Sequence, residues 1–356
     1  MVAPAAGVIN DRISRKRVMI FADLARAAIV LTMLVARSQG MLWLLFALLV
    51  LETFGWGLFE PGRSAVIPNI TAPEEIPAAN ALSSTTWSIN FAIGAALGGF
   101  AVVSLGRDAV FVLNALSFVL SAWLISRMRF DEPHAENRPP LRARDLFDFS
   151  DIAEGVRYVT RHRRMLATVC VKGGIGLMGA NWVLLPVFGQ KLFPLRLGNT
   201  TLEQAQTLGM SVLFAARGFG ALLGAFLGAG FGGSNHVRLR RIIVAGFLMA
   251  GAGYVGLGTI AGSLIIAVLM LLVAHGGGSA CWTSSTTLLQ QQTEDRYRGR
   301  VFSTEMALMT LTLALSSFVA GHFMDAGVAP RTVAVGTGLV TLIPAGLWLV
   351  VNRSDS

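Results

Sequence analysis

The chain has 356 residues, 54% of them hydrophobic and only 14% charged, with 29 Lys+Arg against 20 Asp+Glu and a formal net charge of +9. Its mean hydropathy is +0.62. Soluble domains are nearer a quarter charged, so a soluble globular core is excluded. The basic excess does not read as a nucleic-acid surface either, because its placement along the chain is that of membrane topology.

The apolar residues fall in runs of about twenty, the length that crosses ~30 Å of hydrocarbon at 1.5 Å per residue. Ten complete spans are predicted, at roughly 18–37, 41–62, 79–103, 109–127, 166–188, 207–231, 241–261, 263–288, 302–325 and 331–351. Each is helical, since lipid holds no water to satisfy bare backbone. Residues 1–6 read as the last turns of a further helix. The 39 glycines suit helices that pack closely in lipid.

Arg12, Arg15, Lys16 and Arg17 fill the first loop. A run of arginines from Arg127 to Arg164 fills the central one, and Arg238, Arg240, Arg241, Arg296, Arg298, Arg300 and Arg353 mark the later loops and tail on the same side. The opposite loops hold only Arg37, Arg107, Lys191, Arg196 and Arg331. That asymmetry places the basic side, and with it the C-terminus, in the cytoplasm.

Residues 128–164 are the one composition shift. DEPHAENRPPLRARDLFDFS is polar and proline-rich, a linker. DIAEGVRYVTRHRRM follows, with Ile152, Val156 and Val159 at helical spacing. It is either an amphipathic helix on the inner membrane surface or a solvated linker helix. Cys170 and Cys281 lie in apolar spans and read as small packing residues, not a disulfide or a metal site. MVAPAA lacks the features of a signal peptide.

GVINDRISRKR, Gly7 to Arg17, resembles the signature loop between helices 2 and 3 of the major facilitator superfamily, G-x-x-x-D-R-x-G-R-[RK]-x. Gly7, Asp11, Arg12, Arg15 and the Lys16/Arg17 pair are in register, and Ser14 replaces a glycine. FEPGRSAVIPNITAPEEIPAANALSSTTWSIN, Phe59 to Asn90, is similar to the helix 4–5 region of the enterobactin-exporter and macrolide-efflux branch. EDRYRGRVFS, Glu294 to Ser303, is similar to that branch's stretch before helix 11. GAALGG, Gly94 to Gly99, resembles the tail of the antiporter motif, with Ala95 for proline. Ordinary small-residue packing explains GAALGG equally well. The helix-4 arginine motif is missing, and GAGFGGSNHVRLRR is a decayed second copy of the signature loop.

The resemblance implies an all-α integral membrane protein of the major facilitator fold, with about ten complete transmembrane helices plus a stub of helix 2 in two pseudo-symmetric bundles. The N-terminal bundle is 1–127, lacking helix 1 and most of helix 2. A cytoplasmic linker spans 128–164 and a six-helix bundle 165–356. It also implies a cytoplasmic latch at Gly7, Asp11, Arg12, Arg15 and Arg17, with simple topology marking as the alternative for the arginines, and gating glycines Gly94, Gly98 and Gly99.

No nucleotide-binding P-loop, GxSxG or HExxH is present, so no enzyme is expected, no cofactor or metal, and an ion gradient as the energy source. Charges inside spans are functional candidates by default. Glu52, in the family's cavity-lining helix 4, is a candidate for proton coupling or for a cationic substrate, or a buried structural acid. Arg217, near mid-span, needs a partner. His275, followed by three glycines that suggest a bend, is a proton relay or a packed histidine. Trp56, Trp182 and Trp282 suit hydrophobic or ring-bearing substrates, or pack between helices. Asp23 and Arg26, i,i+3 on one helix, are expected to satisfy each other, and Lys172 to snorkel to the inner interface.

The expected function is proton-coupled efflux of a hydrophobic drug-like or siderophore-like small molecule by a monomeric antiporter. It would sit in the inner membrane, in contact with lipids and with no nucleic-acid partner. The alternatives are an uptake symporter of the same fold and a non-transporting truncated membrane protein. Substrate, coupling ion and stoichiometry are not written in the sequence.

Overall fold

A computed structural model describes residues 9, 13–72, 76–130, 150–161, 163–232, 235–293 and 295–353. Their regular structure is helical, with no strand among the described residues. The helices, in chain order, are α1 Arg15–Thr32, α2 Leu42–Ile70, α3 Ile76–Leu105, α4 Arg107–Arg127, α5 Ser150–Thr160, α6 Arg163–Gly176, α7 Asn181–Val187, α8 Leu202–Gly232, α9 His236–Thr259, α10 Leu264–Gln292, α11 Asp295–Asp325 and α12 Pro330–Arg353. Nine segments among the described residues are long and apolar enough to cross a membrane. The remaining expected span, 79–103, falls on α3, where Ala96–Leu105 is apolar. The stub expected at residues 1–6 lies outside the described residues. Large apolar side chains face outward, among them Phe21, Trp43, Phe46, Ile265 and Phe318, which is the arrangement lipid stabilises and water does not.

The chain divides into two units, Met1–Thr85 with Ala101–Phe149, and Thr86–Phe100 with Ser150–Ser356. In the first, α1 packs on both α2 and α4. Helix α1 starts where Ser14, the residue in place of the signature glycine, accepts a hydrogen bond from Arg17 N at 3.3 Å. Serine is a strong N-cap, so this departure from the motif builds a helix start. Buried Ala27 and Ala115 pack together with Val30 in the contact between α1 and α4. Small residues let the backbones approach where no hydrophobic drive between helices exists in lipid. Gly106, at φ 82, makes the one-residue turn between α3 and α4, a conformation that favours glycine.

In the second unit α10 is the central element, packed on α8 and α9, and α9 packs in turn on α12. The contact with α8 is a stripe of small residues. Gly220, Gly224 and Gly228 face Leu272, Gly276 and Ala280, and a Cβ on Gly224 would run into the Gly276 carbonyl. On its other side Gly277 meets Gly246 of α9. The three glycines after His275 are thus used for close contact, and α10 runs unbroken through them.

The span Arg163–Leu192 is not one regular helix. A 3₁₀ turn at Leu177–Ala180 joins α6 to α7, and a π turn at Phe188–Leu192 ends it. Two serines of α11 serve the irregular backbone. Ser316 Oγ donates to Leu177 O at 2.6 Å and accepts from Ala180 N at 3.1 Å, and Ser317 Oγ donates to Gly179 O at 2.7 Å. Irregular backbone at membrane depth is tolerated where protein side chains supply the missing partners.

Linker residues 131–149 lie outside the described residues. The helix expected after them is present as α5. Val159 is buried with Met165, Val169, Leu289 and Val301, whereas Val156 is exposed.

Candidate functional site

Three polar clusters lie among these helices, and sequence reasoning had named parts of each. In the first unit, α1 carries Asp23 and Arg26 one turn apart, and α2 carries Glu52. Arg26 donates to Glu52 Oε1 from Nε at 2.9 Å and from Nη2 at 2.6 Å. Its Nη1 is 3.9 Å from Asp23 Oδ1. The expected Asp23–Arg26 pair is thus present as a long ion pair, while the short bonds of Arg26 go to Glu52. Helical spacing sets which groups are close, but the guanidinium reaches across to the neighbouring helix, where a carboxylate accepts two of its N–H groups. Gly55 permits that reach, since a Cβ there would stand 2.6 Å from Arg26 Cγ. Phe118 of α4 covers the guanidinium at 4.2 Å. Glu60, a turn or two beyond Glu52, is occupied by Arg63 at 2.5 Å, a bond that raises the Arg63 pKa. Trp56 is exposed.

In the second unit Arg217 of α8 lies over the Trp182 ring of α7, its Cζ 4.3 Å from the centroid, with Phe214 at 5.9 Å. This stacking is the kind of seat a guanidinium finds on an aromatic face. Tyr254 of α9 belongs to the same buried core as Ala216 of α8, with Phe214 packed against it. Tyr254 Oη and His275 Nε2 are hydrogen-bonded at 3.0 Å, and both side chains are buried. Arg217, Trp182 and His275, predicted separately, thus belong to one cluster. Tyr254 was missed, because a tyrosine in an apolar run carries no sequence signal of its own.

The third cluster corrects another expectation. Lys172 of α6 does not snorkel. Its Nζ bonds Glu305 Oε2 of α11 at 2.7 Å, with side chains 3% and 0% exposed. Trp282 of α10 lies under the ammonium at 4.4 Å and Phe302 at 5.6 Å. Depth along the helix suggested that Lys172 could escape to the interface. The packing of α6 on α11 instead presents an acid at the same level.

Of the expected latch, Gly7, Asp11 and Arg12 lie outside the described residues. Arg17 is exposed and its backbone N–H joins the cap of α1, while the neighbouring Lys16 donates from Nζ to Met128 O at 2.7 Å, beyond the end of α4. Of the gating glycines, Gly94 and Gly98 meet nothing within 4 Å of a built Cβ. Only Gly99 makes a close approach, to the Ser211 side chain of α8. No group of three or more His, Cys, Asp or Glu placed to hold a metal occurs among the described residues.

A bundle of membrane-length helices with buried charges at mid-span and a broken helix beside them defines a polytopic membrane protein of the transporter class. The profile of the Major Facilitator Superfamily matches residues 1–304, and the chain belongs to that family. It is a transporter and not an enzyme. The chain is 25% identical over 358 residues to the putative bacilysin exporter BacE of Bacillus subtilis, covering 99% of this chain and 83% of that protein. It is 25% identical over 325 residues to macrolide efflux protein A of Streptococcus pyogenes, covering 90% and 76%. Among solved structures, a POT family transporter in complex with 5-aminolevulinic acid superposes with a TM-score of 0.73 at 14% identity, covering 99% of this chain and 86% of that one. A bacterial homologue of the human lysosomal transporter Spinster, inward-facing and unoccupied, gives 0.69 at 17%, with the same coverage. These structural likenesses establish the fold.

Proposed function

We propose that the protein is a proton-driven exporter of a hydrophobic or siderophore-like small molecule in the inner membrane, with its C-terminus in the cytoplasm. The observation that carries this is the family match together with relatives, aligned over most of the chain, that are named as exporters. The basic residues of one set of loops support the orientation. Mid-span ionisable groups on α1, α2, α8 and α10 are of the kind that couple an ion gradient to movement. Trp182 and Trp282 would offer ring faces to the substrate. Transport would proceed by rocking of the two repeats about a midplane site. Uptake symport by the same fold is the competing reading. Proteoliposomes given an imposed pH gradient and a radiolabelled macrolide, or bacilysin, separate the two by direction. Export against proton entry is the expected result. Accumulation of substrate with proton entry would establish symport, and movement of neither probe under any gradient would count against the substrate class.

A further inference from the structure

Where α1 meets α2 the charges do not balance. One guanidinium, Arg26, stands between two carboxylates, Glu52 and Asp23, so with all three ionised a negative charge is left in excess at membrane depth. The two acids are not equivalent. Glu52 accepts both short Arg26 bonds and is 25% exposed, whereas Asp23 is 2% exposed. Asp23 keeps the long Arg26 approach at its Oδ1, and its Oδ2 is buried without a hydrogen-bond partner. Among the described residues no other ion pair to Asp23 is present. On α2 the next acid, Glu60, is held by Arg63. On α4 the charged groups lie at the ends, Arg107 and Asp108 with Arg37 at one and Arg127 over Trp123 at the other. Asp23 stands roughly 12 Å along α1 from Arg15, at 1.5 Å per residue.

We infer that Asp23 is a proton-binding site of the transporter, Oδ2 taking up one proton from water while Arg26 remains with Glu52. The uptake is a simple addition, Asp23 carboxylate plus H⁺ giving the neutral acid, and it brings the triad from one net negative charge to zero. Loss of the proton restores the excess, and Arg26, hinged over the Gly55 gap, is then drawn toward Asp23 and away from Glu52. Proton occupancy on α1 is in this way converted into a change in the bond that ties α1 to α2. The inference deepens the proton-driven reading above by naming the site. It also moves the titrating group from Glu52, the acid the sequence favours, to its unassigned neighbour.

The test is infrared difference spectroscopy of the full chain in liposomes between about pH 8 and about pH 5. A protonated-carboxyl carbonyl band is expected to grow on acidification and to be lost in Asp23→Asn. Glu60→Gln, whose acid pairs with Arg63 on its own helix, should keep it. A band that persists unchanged in a folded Asp23→Asn protein overturns the proposal. Should Asp23→Asn not fold, the wild type decides the matter through a lipid-soluble carbodiimide, which forms stable adducts with protonated carboxyls only. Peptide mapping should place the adduct on Asp23 and show it rising several-fold at the lower pH. An adduct on Glu52 instead, or one indifferent to pH, overturns the assignment. Efflux in the same liposomes separates the two readings: efflux blind to the pH gradient removes the proton-driven function, whereas the band and the adduct judge Asp23 alone.

Discussion

At the scale of single residues, the energetics turn on how each buried charge is matched. Lys172 and Glu305 are both withdrawn from solvent and bonded to each other. Removing one partner of a buried pair leaves the other uncompensated, at about 3–5 kcal/mol, whereas replacing both with neutral groups of similar volume is often neutral. Lys172→Met is therefore expected to lower thermal stability in detergent markedly, and Lys172→Met combined with Glu305→Gln to recover most of the loss. A double variant no more stable than the single one would mean that the pair is not the unit of stability. Glu52→Gln should impair efflux more than Glu60→Gln, because Glu52 holds Arg26 across two helices while Glu60 serves only its own turn. Equal transport by the two variants, measured in the liposome assay, would remove Glu52 from the mechanism. The sequence makes Glu52, Arg217 and His275 conspicuous because polar groups in lipid are costly. It cannot say which neighbour each faces. Lys172 was misread, and the reach of Arg26 to Glu52 went unforeseen, for that reason: the rotation of a helix about its axis, and a gap such as Gly55, are properties of the packing.

At the scale of helices, run length alone placed the membrane segments, since a span must be about twenty apolar residues whatever its neighbours. The interruption at Leu177–Ala180 was not legible, because Gly173, Gly174, Gly176 and Gly179 read as ordinary packing glycines. They do pack, against Leu308, Pro344, Thr312 and Leu313, but the change of helix type depends on Ser316 and Ser317 from a helix more than a hundred residues away. The small-residue stripe between α8 and α10 gives a test with an internal control. Gly224→Ala puts a methyl into the Gly276 carbonyl and should destabilise by about 1–3 kcal/mol, the usual range for overpacking. Gly336→Ala meets nothing within 4 Å and should be neutral, or stabilising by up to about 1 kcal/mol, from the better helix propensity of alanine. Thermal unfolding of the two proteins in one detergent checks the contrast. Similar midpoints would mean that α8 and α10 are not in close contact in the membrane.

At the scale of the whole molecule, the proposed orientation rests on the distribution of Lys and Arg, and cysteine accessibility tests it directly. The loop between the π turn and α8 would face outward. Asn199 is exposed there, just before a capping box in which Thr201 N donates to Gln204 Oε1 at 2.9 Å and Gln204 N to Thr201 Oγ1 at 3.3 Å, so a cysteine at Asn199 leaves the start of α8 intact. On the other side Asn235 is the obvious probe by position, but its side chain caps α9 by accepting from Val237 N and Arg238 N, each at 3.0 Å. Its loss would cost about 1 kcal/mol, and His236, exposed beside it, is the better choice. The background must lack Cys170, which is exposed, and Cys281, which is buried. In intact cells an impermeant thiol reagent should label Asn199→Cys and leave His236→Cys untouched, and permeabilising the cells should expose the second. The reverse pattern would invert the topology. It would also invert the side from which a proton reaches Asp23, since α1 begins in the same arginine-rich loop that fixes the orientation.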